Sequence, residues 1–258
     1  MEPFIAPDGK TLYFNNSNEP GVDTNLLVAT RIGPDAFRYV GEVAGANSPV
    51  LDAVPSMDVD GRFYFTSVRQ YGRDLKSIFV GQLKGGGLEN VHAVEGSFTP
   101  TIPGWINMDV SVSPDGHTMY ISRARFEVGV PFPRESDLMI ATRTGDAFAI
   151  DSRSREMLAK VNTPDLEYAP AVSTDGLELY FTRASGLGGG RPEDVSVRIL
   201  VASRAGTGDA FDSPRVLDSL TGYVEAPAPS IDGKELFFHK KVDGRFVIYR
   251  AVRQDANK

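Results

Sequence analysis

The sequence predicts an all-β protein that forms a single five-bladed β-propeller over residues 1–258, with four antiparallel strands in each blade except a three-stranded last blade. Two observations carry this prediction. The dipeptide Asp-Gly, followed by a short β-prone run, occurs five times at intervals of 52 to 60 residues. The 26 glycines and 17 prolines interrupt the chain too often for long helices. A repeat of this length with room for four strands is typical of a propeller blade.

Each repeat opens with a hairpin, whose turn contains one of five aspartates: Asp8, Asp60, Asp115, Asp175 and Asp232. Asp-Gly supplies the positive φ that a two-residue hairpin turn needs, so each copy joins an inner strand to a second strand. An aspartate at such a turn bonds its own backbone, and we expect a structural role for these five. The copy DVDGRFYF is one residue shorter than the others, so we expect its turn to differ.

The third and fourth strands follow from two further repeated elements. Runs such as NLLVATR, DLMIATR and RILVASR are strongly β-prone. They are followed by PDAF or GDAF, in which the chain turns and the phenylalanine opens an outer strand. The blades are predicted at about 1–45, 46–96, 97–162, 163–220 and 221–258. The last repeat is roughly 20 residues short, which predicts three strands there.

The repeats resemble a known family. SPDGHTMYISR with DLMIATR, and EYAPAVSTDGLELYFTR with RILVASR, resemble the WD40-like β-propeller repeat of TolB-type proteins. The resemblance covers essentially the whole chain. It implies a propeller that binds a partner, and a periplasmic or extracellular location. TolB itself has six blades and an N-terminal α/β domain, which have no counterpart among these five repeats, and Met1-Glu2-Pro3 shows no signal peptide.

The composition and the motifs that are missing argue against several kinds of ligand and site. The net charge of −7 disfavours nucleic acid, and no run of about 18 apolar residues is present, so we expect no membrane insertion. The absence of cysteine excludes disulfides and thiolate metal sites. The three histidines are too scattered for a metal site, and no nucleophile or nucleotide-binding motif is present. We therefore expect a non-enzymatic monomer without a cofactor that binds a protein, peptide or sugar-like ligand.

An acidic residue precedes the turn of each repeat by six to eight positions, and these acids are Glu2, Asp52, Asp109, Glu167 and Glu225. If the blades pack as expected, the five acids ring one mouth of the central channel. They could recruit a cation there. Alternatively, Asp52, Asp109, Glu167 and Glu225 include the paired carboxylates of a five-bladed glycoside hydrolase. The structural alternative is that each acid caps its strand or pairs with an arginine.

The loops between second and third strands are expected on the same face. The longest, at about 122–137 and 182–197, carry five of the 19 arginines: Arg123, Arg125, Arg134, Arg183 and Arg191. Arginine suits carboxylate and phosphate ligands, although solvated loops would also contain it. The single tryptophan, Trp105, lies in a long link and either stacks on a ligand or plugs the core. The ligand-binding candidates are Trp105, Arg123, Arg183, Asp109, Glu167, Glu225 and His239, with Tyr71, Phe126, Phe132 and Tyr223 nearby.

Overall fold

The computed structural model describes residues 1–17, 22–130, 132–187 and 195–254. Within these ranges, 19 strands form five antiparallel sheets arranged as the blades of a propeller. Four sheets have four strands and the last has three, which confirms the predicted fold class and the three-stranded fifth blade. Neither described helix is longer than four residues.

Blade one contains β1 (Phe4–Ile5), β2 (Thr11–Asn15), β3 (Leu26–Gly33) and β4 (Ala36–Glu42). Blade two contains β5 (Asp52–Met57), β6 (Arg62–Ser67), β7 (Ile78–Lys84) and β8 (Gly87–Ala93), with α1 (Tyr71–Asp74). Blade three contains β9 (Trp105–Val112), β10 (Thr118–Arg125), β11 (Glu135–Thr144) and β12 (Ala147–Ile150), followed by α2 (Ser154–Met157). Blade four contains β13 (Leu166–Val172), β14 (Glu178–Ser185), β15 (Ser196–Ser203) and β16 (Arg215–Val216). Blade five contains β17 (Val224–Pro229), β18 (Glu235–Val242) and β19 (Arg245–Val252).

The Asp-Gly turns have the structural role expected of them. Oδ1 of Asp175 accepts hydrogen bonds from the Ser173 hydroxyl at 2.6 Å and from the Leu177 amide at 3.0 Å. The shorter copy differs as predicted, because Asp58 replaces Asp60 as the acceptor. Its Oδ1 accepts from the amides of Asp60 and Arg62.

An arginine at the end of the third strand joins neighbouring blades. In blade four, Arg204 donates from Nε to the Gly176 carbonyl of its own blade at 2.8 Å. Its Nη2 donates to the Tyr120 hydroxyl of blade three at 3.0 Å. The guanidinium carbon lies 4.4 Å from the ring centroid of Phe211, the aromatic residue of GDAF. Arg143 makes the equivalent contacts with Gly116, Tyr64 and Phe148. We call the four residues in this position the interblade arginines: Arg31, Arg143, Arg204 and Arg253.

The ring closes through the interblade arginine of blade one. Arg31 forms an ion pair of 2.6 Å with Glu235 of blade five and lies 5.6 Å from the centroid of Phe237. Arg250 pairs with the same carboxylate and with Asp35 of blade one. Burial raises the pKa of Glu235, but the hydrogen bonds from the two arginines outweigh it and hold that pKa below its usual value. The closure between the first and last blades is therefore partly electrostatic.

We expect Glu235→Gln to destabilise the protein by about 2 kcal/mol at pH 7, because two half-buried guanidinium groups lose their shared carboxylate. Urea unfolding would measure this. A folded-state pKa below the unfolded value of about 4.3 gives stability that is present above that pH and lost as the pH falls through the folded pKa. The difference between wild type and variant should then disappear in acid. Glu156→Gln, in an exposed pair with Arg153, is the control and should cost less than about 1 kcal/mol.

Candidate functional site

A cavity of about 400 Å³ lies at the mouth of the channel, on the face opposite the Asp-Gly turns. Its floor comes from the inner strands and includes Asp109, Tyr168 and Glu225. Its wall comes from the loops and includes Phe126 and Phe132, two of the aromatic residues expected on this face. The cavity therefore combines buried carboxylates with an apolar rim.

The expected ring of five acids does not form. Glu2, Asp109 and Glu225 line the cavity, whereas Asp52 and Glu167 do not. The cause is register. Asp109 lies opposite Ser122, and Glu225 lies opposite His239, the residue at the same place in its own second strand. Asp52 and Glu167 lie opposite the next residue along that strand. Because successive strand residues point to opposite sides, this one-residue difference turns two acids away from the channel.

The two acids that turn away have the structural role that was the alternative interpretation. Glu167 has no exposed surface and accepts from the Thr163 amide at 2.9 Å and from Nε of Arg183 at 2.6 Å. Arg183 also donates to the carbonyl of Val161, which lies in the link between blades three and four. Asp52 is equally buried and pairs with Arg69 at 2.5 Å. These pairs anchor the links that lead into the inner strands.

Of the arginines expected in the loops, Arg134 lies between β10 and β11 as expected, whereas Arg125 is the last residue of β10. Arg123 and Arg183 are on β10 and β14, because both second strands extend further than predicted. Arg123 donates to Asn107 Oδ1 at 3.3 Å and to the Phe98 carbonyl, so it also anchors a link. Arg191 lies outside the described residues.

Trp105 does not line the cavity. It is the first residue of β9 and pairs with Arg125, and its carbonyl accepts from the Tyr71 hydroxyl at 3.0 Å. Its neighbour Ile106 faces the cavity instead, since side chains alternate along a strand.

Asp109 lies at the floor of the cavity with only one of its carboxylate oxygens bound by the protein. The residue is 3% exposed, and Oδ2 accepts from the Ser122 hydroxyl at 2.6 Å and from the Ala169 amide at 2.9 Å. Oδ1 accepts no hydrogen bond from any described residue. Burial raises the pKa of Asp109 to about 7. The hydrogen bonds from Ser122 and Ala169 oppose this rise, and the negative charges of Glu2 and Glu225 add to it.

A β-bulge supplies the amide that holds Asp109. The register of β13 shifts between Tyr168 and Ala171, and Ala169 adopts a φ of +48° directly before a proline. This left-handed conformation costs about 1–2 kcal/mol in a residue with a Cβ. Val54 and Ala226 repeat it in blades two and five, also before prolines. The bulges turn backbone groups of the inner strands toward the neighbouring blade, and no sequence pattern predicted them.

The pKa of Glu225 is shifted in the opposite direction to that of Asp109. Oε1 accepts from the Tyr168 hydroxyl, Oε2 lies 2.6 Å from Nε2 of His239, and Tyr223 adds a further hydrogen bond. Burial alone would raise the pKa of Glu225, but these donors and the charge of His239 lower it below the usual value.

His239 contacts the Glu225 carboxylate from outside the cavity lining. It is 3% exposed, is not among the residues that line the cavity, and has Nδ1 2.7 Å from the carbonyl oxygen of Met1. A carbonyl only accepts, so Nδ1 carries a proton there. His239 therefore positions an ionised Glu225 and is not placed to touch a ligand.

The site can hold a hydroxyl or a cationic group. The described residues lining the cavity include no lysine, arginine or histidine, so its charges are carboxylates alone. Among the described residues, no group of three or more potential ligands is arranged for a metal ion. No described helix is long and apolar enough to cross a membrane.

Comparison with known proteins supports the fold. No family model matches the sequence, and no curated protein matches it. TolB from Acinetobacter baumannii superposes with a TM-score of 0.54 at 14% identity, covering 96% of this chain and 51% of that one. The chain thus spans about half the length of that TolB structure. A thermostable family-43 glycoside hydrolase gives a TM-score of 0.50 at 16% identity, over 99% of this chain and 94% of that one. A nidogen/laminin complex gives 0.53 at 13% identity, over 93% and 73%. The predicted TolB-like propeller is confirmed as a fold.

We expect Arg183→Ala to destabilise the protein by about 3 kcal/mol, because it leaves the fully buried Glu167 without its counter-ion. Thermal and urea unfolding would measure this. Arg134→Ala, in an exposed pair with Glu127, is the matched control and should cost less than about 1 kcal/mol. Equal stabilities of the two variants would contradict a structural role for Arg183.

The raised pKa of Asp109 gives a pH-dependent stability. A folded-state pKa of about 7 lies above the unfolded value of about 3.9, so its contribution is complete below that lower value and is lost as the pH rises through 7. Asp109→Asn should therefore gain stability relative to wild type between pH 5 and pH 8, measured by urea unfolding. A carboxyl ¹³C titration of Asp109 with a midpoint near 4 would contradict this assignment.

Proposed function

We propose that the chain is a non-enzymatic binding propeller that takes a peptide or sugar-like group of its partner into the cavity at the channel mouth. The observation that carries this proposal is the unpartnered Oδ1 of Asp109 at the floor of that cavity. This oxygen is accessible from the cavity, so a ligand hydroxyl or ammonium group can donate a hydrogen bond to it inside a partly enclosed site.

The size and lining of the cavity fit such a ligand. Its volume of about 400 Å³ lies within the range of small-molecule pockets. Phe132 is 49% exposed and Phe126 is 36% exposed, so both rings are available at the rim. Tyr223 completes an aromatic wall on which a sugar ring or an aliphatic side chain can pack. A polar floor beneath an aromatic rim orients an amphipathic group in one direction.

Glycoside hydrolysis is the second candidate, and one observation favours it. The pKa of Asp109 is raised and the pKa of Glu225 is lowered, which is the pattern of a general acid beside an ionised carboxylate. Against it, both oxygens of Glu225 already accept hydrogen bonds from Tyr168 and His239. A carboxylate held in this way has little freedom to act as base or nucleophile, so we favour binding. A periplasmic or extracellular location is part of the proposal and rests on the resemblance of the repeats.

A thermal-shift screen with neutral oligosaccharides, amino-sugar oligomers and lysine-containing tripeptides tests the proposal. We expect Asp109→Asn to weaken binding of any compound that stabilises the wild type by about 10- to 100-fold, because a hydrogen bond to a charged acceptor is lost. Calorimetry would measure the affinities. Asp232→Asn, at a turn on the opposite face, is the control and should bind like the wild type.

Two results would change the conclusion. Hits that bind Asp109→Asn as tightly as wild type would place the site elsewhere. Release of nitrophenol from aryl glycosides by the wild type, lost in Asp109→Asn, would favour the hydrolase.

A further inference from the structure

Arg204 is a buried cation without an acidic partner. It is 8% exposed, and no carboxylate of a described residue lies within ion-pair distance of it. Two other interblade arginines are paired, Arg253 with Glu178 at 2.6 Å and Arg31 with Glu235 at 2.6 Å. Arg143 shares the lack of a partner but is more exposed. A guanidinium group that has no direct ion pair and a free donor beside a cavity can gain a charge-assisted hydrogen bond to a ligand.

The missing acid can be traced to one position in the repeat. Glu178 stands two residues before Tyr180 on the second strand of blade four, and both contact Arg253 of the next blade. Residues two apart on a strand share a face. In blade three the residue two before Tyr120 is Thr118, so Arg204 meets the tyrosine but no carboxylate.

A cavity of about 510 Å³ occupies this place between blades three and four, on the face of the Asp-Gly turns. Thr118, Thr142 and Thr174 line it together with Tyr120 and Arg204. Nε and Nη2 of Arg204 are engaged with Gly176 and Tyr120, whereas Nη1 donates no hydrogen bond to a described residue. The cavity thus has room for an acceptor at the place where the neighbouring interface has a glutamate.

We propose that this cavity binds the carboxylate of a small ligand, which Arg204 holds in place of the glutamate that Thr118 replaces. Arginine recognises carboxylates through its planar set of donors, and a charge-assisted hydrogen bond is strong in a partly buried site. The hydroxyls of Thr118 and Thr142 can donate to a second carboxylate oxygen, whereas that of Thr174 already donates to the Ile231 carbonyl. The site lies at the opposite end of the channel from the cavity of Asp109 and does not depend on the proposed function.

Three aspartates on the cavity lining select the charge of the ligand. Asp115, Asp151 and Asp175 also border the cavity. Each accepts a hydrogen bond at Oδ1 from a backbone amide near its own turn, which fixes it there. Their negative charges oppose the binding of any anion and oppose a dianion more strongly than a monoanion, so the direct hydrogen bond to Arg204 has to hold the carboxylate. A monocarboxylate is therefore preferred over sulfate or phosphate.

NMR of the arginine side chains tests the proposal in the wild-type protein. Sodium acetate is exchanged for sodium chloride at constant ionic strength and pH 7.5, and the Nε–H signals are followed. We expect the Arg204 signal to shift saturably, with a dissociation constant on the order of millimolar. Arg253, already paired with Glu178, is the internal control and should not shift. Sulfate should shift Arg204 less than acetate. The same shift for both arginines, or for Arg204 in chloride alone, would overturn the proposal.

A reciprocal pair of substitutions separates a site from a general salt effect. Thr118→Glu supplies the missing carboxylate, so it should raise the melting temperature and remove the acetate response of Arg204. Glu178→Thr removes the partner of Arg253, so that arginine should acquire an acetate response. Retention of the Arg204 response in a folded Thr118→Glu variant would contradict the proposal. If that variant does not fold, the wild-type titration and Glu178→Thr still decide the question.

Discussion

The contact between an interblade arginine and the preceding blade is the interaction on which this ring depends. The guanidinium group of Arg204 donates a hydrogen bond to Gly176 in the Asp-Gly turn of its own blade and packs on the ring of Phe211, also in its own blade. It also donates to Tyr120 on the second strand of the preceding blade. Lysine could not do this, because its ammonium group has neither the planar face nor the spread of donors. The Asp-Gly hairpin, the arginine at the end of the third strand and the phenylalanine of GDAF or PDAF are therefore parts of one contact. In blade two, Leu83 replaces the arginine and packs in the apolar cluster that contains Tyr13.

The cavity that contains Asp109 lies where the repeat constrains the sequence least. The arginines act near the Asp-Gly face, and the carboxylate–arginine pairs of Asp52 and Glu167 fix the links on the other side. Between these anchors, the loops and the first inner-strand residues are free to differ from blade to blade. Asp109 and Glu225 occupy one such position, where blades two and four have Ala53 and Tyr168. Variation on a fixed scaffold is how binding groups arise without disturbing the fold.

The fold could be predicted because it follows from repetition, whereas the site depends on single residues. Five Asp-Gly hairpins at one period leave little choice of architecture. The side to which an acid points depends on a one-residue register, and a spacing of six to eight residues to the turn does not resolve it, so Asp52 and Glu167 were wrongly placed in the ring. The bulge at Ala169 was not predicted, although a proline follows it as one follows the equivalent residues Val54 and Ala226. Phe126, Phe132 and Tyr223 were placed on the correct face because that prediction needed only the topology.

At some positions a residue departs from the repeat, and a charged group there lacks the partner that other blades provide. Where the repeat provides both partners, as with Arg253 and Glu178, the charges offset each other and little remains for a ligand. Where it provides one, a polar atom remains without a hydrogen-bond partner among the described residues, as with Asp109 Oδ1 on one face and Arg204 Nη1 on the other. A ligand that supplies the missing partner forms that hydrogen bond on binding. In a propeller whose blades repeat the same ion pairs, a charged residue that lacks its usual partner beside a cavity therefore indicates a binding site better than the mere presence of a charged residue does.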